Sequence, residues 1–309
     1  MQARRHCPIC SEEAPVIFAR PYNLPVLRQM VERPGCGFSV VEQSYEIRHC
    51  RLCGLSFQTW VLEVEEAAAW YAAAPQNFDF WQEIGRQKLH WFAHMAEEVL
   101  ILRQLIPTSP PVVLDFGCNW GKWANTALAH GCRVHAVEIN RQAAEFCTQR
   151  GIEILSLNDL AADYYDFINV DQVAEHLSEP REVVERLVRS LKPGGFLKLS
   201  TPENRSLPRR LAAAHAGDAS ALLNPSAIDA LAPLEHVNLF TNQSLKMLAT
   251  VTGLRLFRVP ILLSLGAGQL WNMPRQMNRN LITPFKRWAA RRTYLWFRKS
   301  ATTDATLWH

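Results

Sequence analysis

At 309 residues, with 48% apolar and 20% charged side chains, the chain can bury a sizeable core and is long enough for about two domains of ~150 residues. This composition excludes disorder, collagen and coiled coil as the main architecture, and no apolar run approaches the ~20 residues of a membrane-spanning helix. The net charge of +4 is uneven: Leu254–His309 holds 10 Lys/Arg against one Asp, while the remainder carries 23 basic and 28 acidic groups. A basic segment on an acidic body points to an anionic partner, with peripheral contact to a membrane surface as one form of it. A solvated helical face explains the same charge more plainly. No apolar stretch follows Arg4-Arg5, so the expected location is the cytoplasm.

Eight cysteines are present, and four of them form Cys7-Pro-Ile-Cys10 and Cys50-Arg-Leu-Cys53-Gly54. Two Cys-x-x-Cys knuckles supply the four thiolates that tetrahedral Zn2+ prefers. Because all four ligands are cysteine, no coordination position is left for water, and the expected ion is structural. Two disulfides are the competing reading, weakened by the lack of a secretion signal. His6 and His49 each precede a ligand and are expected to be exposed; Cys36 reads as a bystander in a turn. Residues 1–60 are therefore predicted to be a zinc ribbon, with Ser39–Arg48 as a strand between the knuckles.

Residues 61–110 follow as a helical linker or lid. Their aromatics Trp70, Tyr71, Phe78, Phe80, Trp81, Trp91 and Phe92 are read chiefly as core. Pro107 to Pro111 then breaks the chain. Residues 111–309 alternate strand and helix, which predicts a parallel sheet covered by helices on both faces. The strands are Val112–Phe116, Arg133–Ile139, Glu153–Leu155, Tyr165–Val170, Phe196–Leu199 and Leu254–Val259, with a closing antiparallel edge strand at Thr293–Arg298. Helices are expected at Trp120–His130, Gln142–Gln149, Arg181–Leu191 and Ser244–Thr250, and a basic one near Phe285–Ala290. An insert of about 203–235, with Arg205, Arg209 and Arg210, is predicted to cover an acceptor.

In open α/β sheets, ligands bind beyond the carboxyl ends of the strands. Asp115-Phe-Gly117-Cys-Asn119-Trp-Gly121 stands there and fits neither the dinucleotide glycine pattern nor the phosphate-cradling loop. A loop without a phosphate nest implies a ligand without phosphates. The segment Asp115-x-Gly117-Cys-x-x-Gly121 resembles motif I of class I S-adenosylmethionine-dependent methyltransferases, and the resemblance runs over roughly 110–260. It implies a Rossmann-like α/β fold and S-adenosylmethionine as cofactor. Asp115, Gly117, Asn119 and Gly121 would form its loop, Glu138 would bind the ribose hydroxyls, and Asn158 and Asp159 would lie by the adenine. Asp171, in the segment that resembles the fourth strand and its loop, completes the set. Asn119 stands where many members have glycine, and Asn is the residue next best able to adopt positive φ.

For a hydroxyl acceptor a base must remove a proton, and His suits neutral pH. Two pairs qualify, Glu175-His176 after the fourth strand and Glu235-His236-Val-Asn-Leu-Phe240. The catalytic candidates are His236, His176 and Glu235. The ribbon plus this domain also looks like sugar C-methyltransferases, but Pro233 replaces their tyrosine two residues before the Glu. The expected reaction is O-methylation of a sugar, glycan or other small metabolite, free, phosphorylated or lipid-linked. The alternatives are an RNA methyltransferase, disfavoured by the acidic body, and a non-catalytic scaffold.

Overall fold

The computed structural model describes residues 1–32, 43–72, 89–106, 110–202, 231–267 and 293–301, together with Arg210, Ala213 and Phe285. The predicted Cys36 turn, the aromatics between 73 and 88, most of the acceptor insert and the basic helix near 285–290 lie outside the described residues. In chain order the N-terminal part contains β1 (Gln2–Ala3), β2 (Val16–Pro21), α1 (Pro25–Val31), β3 (Ser44–His49), β4 (Ser56–Gln58), β5 (Trp60–Val61) and α2 (Val64–Ala72). After these come α3 (Leu89–Leu105), β6 (Val112–Phe116), α4 (Lys122–Ala129), β7 (Arg133–Val137), α5 (Arg141–Thr148) and β8 (Glu153–Ile154). The remainder is β9 (Tyr165–Asp171), a single 3-10 turn at Ala174–His176, α6 (Pro180–Ser190), β10 (Leu191–Ser200), β11 (Asn238–Leu239), α7 (Asn242–Val251), β12 (Leu254–Phe257), α8 (Ile261–Ala267) and β13 (Tyr294–Lys299). No helix among the described residues is long and apolar enough to cross a membrane.

The chain divides into two compact units, each gathered from separate stretches. The first comprises Met1–Pro75, Gln172–Val183 and Thr201–Val251, and the second Gln76–Asp171, Val184–Ser200 and Thr252–His309. The first unit is built on a four-stranded antiparallel sheet in the order β11-β4-β3-β2, so a strand from beyond residue 237 joins the N-terminal ones. Its core holds Phe18, Tyr22, Leu27, Tyr45, Ile47, Trp70, Leu231, Leu234 and Leu239. Trp70 is thus core, as its helical spacing suggests.

The second unit carries a seven-stranded sheet in the order β12-β13-β10-β9-β6-β7-β8. Strands β10, β9, β6, β7 and β8 are mutually parallel, and β13 runs antiparallel to both β10 and β12. The antiparallel strand is therefore not at the edge where its late position in sequence placed it: it is inserted between β10 and β12, and β12 is the edge. Burial agrees, since Leu295, Trp296 and Phe297 are almost wholly covered, as befits an inner strand. The fifth strand also begins earlier than its apolar run. β10 starts at Leu191, and its register against β9 shifts between Leu191 and Phe196, so Pro193-Gly194-Gly195 forms an irregularity inside the strand. A side chain at Gly195 would lie only 3.0 Å from two backbone oxygens, Asp166 O and Lys192 O. Beneath the sheet, Trp123 stacks on Phe167 at 5.6 Å and Phe167 meets Trp296 at 4.9 Å.

Candidate functional site

The glycine loop sits at the carboxyl end of β6, in the second unit, the end of a parallel sheet at which open α/β folds take their ligands. Its backbone is left-handed at Gly117 (φ 73°), Asn119 (φ 49°) and Gly121 (φ 67°), so Asn119 adopts the conformation expected of it. Gly121 is required sterically as well, because a Cβ there would meet Cys147 Sγ at 2.7 Å and Asn125 Nδ2 at 2.9 Å. Asp115 anchors the loop from below. Its carboxylate accepts Ala124 N at 3.1 Å and Asn169 Nδ2 at 2.7 Å. Burial pushes this carboxyl up to about 7, against the opposing pull of Asn169 and the Lys198 charge.

Glu138 follows β7 and faces the loop. One carboxylate oxygen accepts Asn119 N at 2.7 Å and the other Asn140 N at 2.7 Å. These bonds fix its position and leave lone pairs on both oxygens. Asn158 and Asp159 lie on a 3-10 turn capped by Ser156, where Arg186 bonds Asn158 Oδ1 and Ser156 Oγ donates to Asp159. Asp171 ends β9 with its side chain 35% exposed and Lys198 Nζ at 3.7 Å. The candidate cofactor residues thus all stand at carboxyl ends of neighbouring strands or in the turns after them. A rim of carboxylates beside a loop of left-handed residues suits an uncharged diol and a cationic group better than a phosphate.

The first unit holds two further groups. The Sγ atoms of Cys7, Cys10, Cys50 and Cys53 lie within 4.8 Å of one another, with Cys7–Cys53 and Cys10–Cys50 at 3.5 Å. Tetrahedral thiolates around zinc stand about 3.8 Å apart, so this donor set fits such an ion. The two knuckles are built alike: Ser11 N donates to Cys7 O and Gly54 N to Cys50 O, with Ser11 and Gly54 both at positive φ. No described cysteine forms a disulfide. His6 is exposed and His49 bonds Ser56 Oγ at 3.0 Å, so neither supplants a thiolate.

The second group is Glu175, His176 and His236, each with a side-chain heteroatom within 4.8 Å of the others. The imidazoles meet edge to face at 5.0 Å. His176 Nδ1 donates to Glu235 O at 2.9 Å, which leaves Nε2 with its lone pair, 4.0 Å from Glu175 Oε1. Burial, reinforced by the His236 charge, pushes His176 down to about 4. Glu235 contributes its carbonyl to this bond. The turn before it is strained, since the non-glycine residues Ala232 and Leu234 have φ of 29° and 65°.

Residues 86–259 match a protein family described as a methyltransferase domain, which is more than half of the chain. The chain belongs to the methyltransferase domain family. Its α/β sheet is the Rossmann-like sheet of class I S-adenosylmethionine-dependent methyltransferases. A ubiquinone biosynthesis O-methyltransferase of Xanthomonas oryzae pv. oryzae (strain PXO99A) is 30% identical over 100 residues, covering 29% of this chain and 42% of the relative. One from Xylella fastidiosa (strain 9a5c) is 29% identical over 140 residues, covering 41% of this chain and 56% of the relative. The methyltransferase chain therefore spans about half the length of the curated relatives it matches. Among solved structures, the plantazolicin methyltransferase BpumL in complex with a triazolic desmethylPZN analog and SAH aligns with a TM-score of 0.48 at 13% identity, over 76% of this chain and 95% of that one.

One network in the methyltransferase sheet has no counterpart in the sequence reading. Lys198, on β10, is fully buried and pairs with Glu98 of α3 at 3.0 Å. Glu98 also accepts Trp123 Nε1 at 3.0 Å and Tyr294 OH at 2.5 Å, and His94 stands 3.1 Å away. Opposing carboxylates raise the Lys198 pKa despite its burial. The signal available was Lys198 inside the apolar run Phe196–Leu199, where a charge demands a partner.

Proposed function

We propose that this methyltransferase transfers the methyl group of S-adenosylmethionine to a hydroxyl of a small molecule, with His236 as general base. The observation that supports it most is the paired imidazoles at 5.0 Å, one of them held in a fixed tautomer by a backbone carbonyl. The O-methyltransferases among its relatives favour an oxygen acceptor. The cofactor, when bound, supplies an electrophilic methyl on a good leaving group. Glu138 accepts the ribose hydroxyls, Asn158 and Asp159 flank the adenine, and the loop Asp115, Gly117, Asn119 and Gly121 shapes the floor. Asp171 contributes negative charge at the strand end, which favours the sulfonium.

His176, pushed down to about 4 by burial, stays neutral at neutral pH with Nε2 as a hydrogen-bond acceptor, so it holds a second, non-reacting hydroxyl of the acceptor while His236 takes the proton of the reacting one. Glu235 locks His176 through its carbonyl. The acceptor is a sugar, glycan or related metabolite, and the basic C-terminal segment suits a phosphorylated or lipid-linked form of it. Cys7, Cys10, Cys50 and Cys53 hold a structural Zn2+ in a ribbon of residues 1–60. Methyl-labelled S-adenosylmethionine incubated with the protein and fractionated cell extract tests the reading. Label in low-molecular-weight, hydroxyl-bearing material, lost in His236→Ala, supports it; label entering RNA, or full transfer by both His236→Ala and His176→Ala, contradicts it.

A further inference from the structure

The first unit contains a buried guanidinium that bonds both histidine-bearing segments. Arg4 is 6% exposed and lies three residues before the first cysteine ligand candidate. Its Nη1 donates to Ser178 O at 2.8 Å and to Asn238 Oδ1 at 3.0 Å. Its Nη2 donates to Val237 O at 2.8 Å and to Gln58 O at 3.1 Å. Ser178 is two residues past His176, and Val237 directly follows His236. Burial pushes Arg4 down to about 10, which still leaves it cationic at neutral pH.

Two amides extend the grip. Asn238, 1% exposed, donates through Nδ2 to Ala174 O at 3.1 Å and Leu177 O at 2.6 Å, which bracket Glu175-His176. Gln58, also 1% exposed, donates to His236 O at 3.0 Å and accepts Leu234 N at 3.0 Å. Most of these carbonyls lie in the short segments on either side of the two histidines, Ala174–Ser178 and His236–Val237, and Gln58 O ends β4 beside them. The strained turn at Ala232 and Leu234 persists because Gln58 fixes the residues around it. A fold needing only stability would bury an apolar side chain at position 4; a planar, five-donor cation there specifies where several carbonyls must sit.

We infer that Arg4, acting with Asn238 and Gln58, is the positioning residue that sets the separation of His176 and His236. The cysteine ribbon is then the mould for the acid–base pair rather than an appendage to the transferase. This inference rests on the proposed base reading, and it assigns the N-terminal knuckles a part in it. A displacement of the imidazoles by about 1 Å is enough to lower kcat on the order of 100-fold while leaving cofactor affinity alone.

The test compares wild-type, Arg4→Met, Arg4→Lys and Asn238→Ala full-length protein. Long-range 1H–15N spectra read the His176 tautomer, and calorimetry with S-adenosylhomocysteine reads the cofactor site. The expected result is loss of the fixed Nδ1–H tautomer of His176 in Arg4→Met, partial return in Arg4→Lys, and cofactor affinity within about twofold of wild type. If Arg4→Met fails to fold, Asn238→Ala carries the test, because it leaves three of Arg4's four bonds intact. An unchanged tautomer in whichever variant folds overturns the inference. Turnover with the labelled acceptor fraction separates the two claims. Should His236→Ala abolish transfer while Arg4→Met keeps both kcat and tautomer, the clamp is wrong and the base reading stands. Should Arg4→Met free the tautomer while His236→Ala transfers normally, the clamp stands and the base reading falls.

Discussion

In the second unit the candidate chemistry rests on successive strand-to-turn junctions, with the Asp115 and Glu138 carboxylates accepting backbone amides, Asn119 N among them, no more than 19 residues away. In the first unit it rests on side chains that reach carbonyls far along the chain, such as Arg4 to Val237 and Gln58 to His236, 233 and 178 positions apart. The parallel sheet places its glycine loop mainly by regular register, with Asn169–Asp115 and the buried Lys198–Glu98 pair as its long-range polar supports. The smaller antiparallel sheet fixes irregular segments, so it spends a buried cation and two buried amides to satisfy their carbonyls. A change in the first unit should therefore disturb the acid–base pair and spare cofactor binding, while a change in the glycine loop should do the reverse.

The largest expected effect comes from removing the metal ligands. Structural zinc contributes on the order of 10 kcal/mol to folding of small sites, so Cys50→Ser, or stripping with a chelator, should abolish the first unit's cooperative melting. Zinc content near one per chain, falling to zero in the variant, checks this. Unchanged melting would remove the metal from the account. Next in size, His236→Ala should lower transfer on the order of 10²–10⁴-fold with S-adenosylhomocysteine affinity intact.

A pH effect follows from Asp115. Its folded value of about 7 exceeds the ~3.9 of a free carboxyl, so the unfolded chain ionises first as pH rises. Stability should then fall between about pH 4 and pH 7, by at most ~4 kcal/mol, and level off above that. Asp115→Asn should flatten the profile measured by denaturant titration; a profile as steep as wild type would show that another group is responsible. Smaller again is Gly121→Ala, which meets Cys147 Sγ and holds φ at 67°. It should cost about 2–3 kcal/mol and leave first-unit melting untouched.

The same contrast explains what could be read in advance. Strand and helix spacing over 112–191 matches the structure closely, because a doubly covered parallel sheet writes its burial into local apolar runs. The cysteine knuckles were equally legible, since their spacing is local. The place of β13 was not, because antiparallel insertion between β10 and β12 is decided by pairing partners from residues 196–200 and 254–257. Nothing in the local pattern around Asn238 announces that it pairs with Phe57 in the N-terminal sheet. Arg4 figured in the sequence only as a charge with no apolar stretch behind it, and only its distant carbonyl partners mark it as buried. Lys198 inside an apolar run signals that a partner is needed, but nothing local names Glu98, 100 positions earlier, as that partner.

Cofactor binding by the glycine loop and the carboxylates at the tips of the parallel strands is what the proposed function depends on, and calorimetric titration with S-adenosylhomocysteine measures it directly. Wild-type protein should bind one equivalent, and Glu138→Gln should weaken that binding on the order of 10- to 100-fold through loss of charge-assisted hydrogen bonds to the ribose. No heat with wild type, or equal affinity in both proteins, would contradict it.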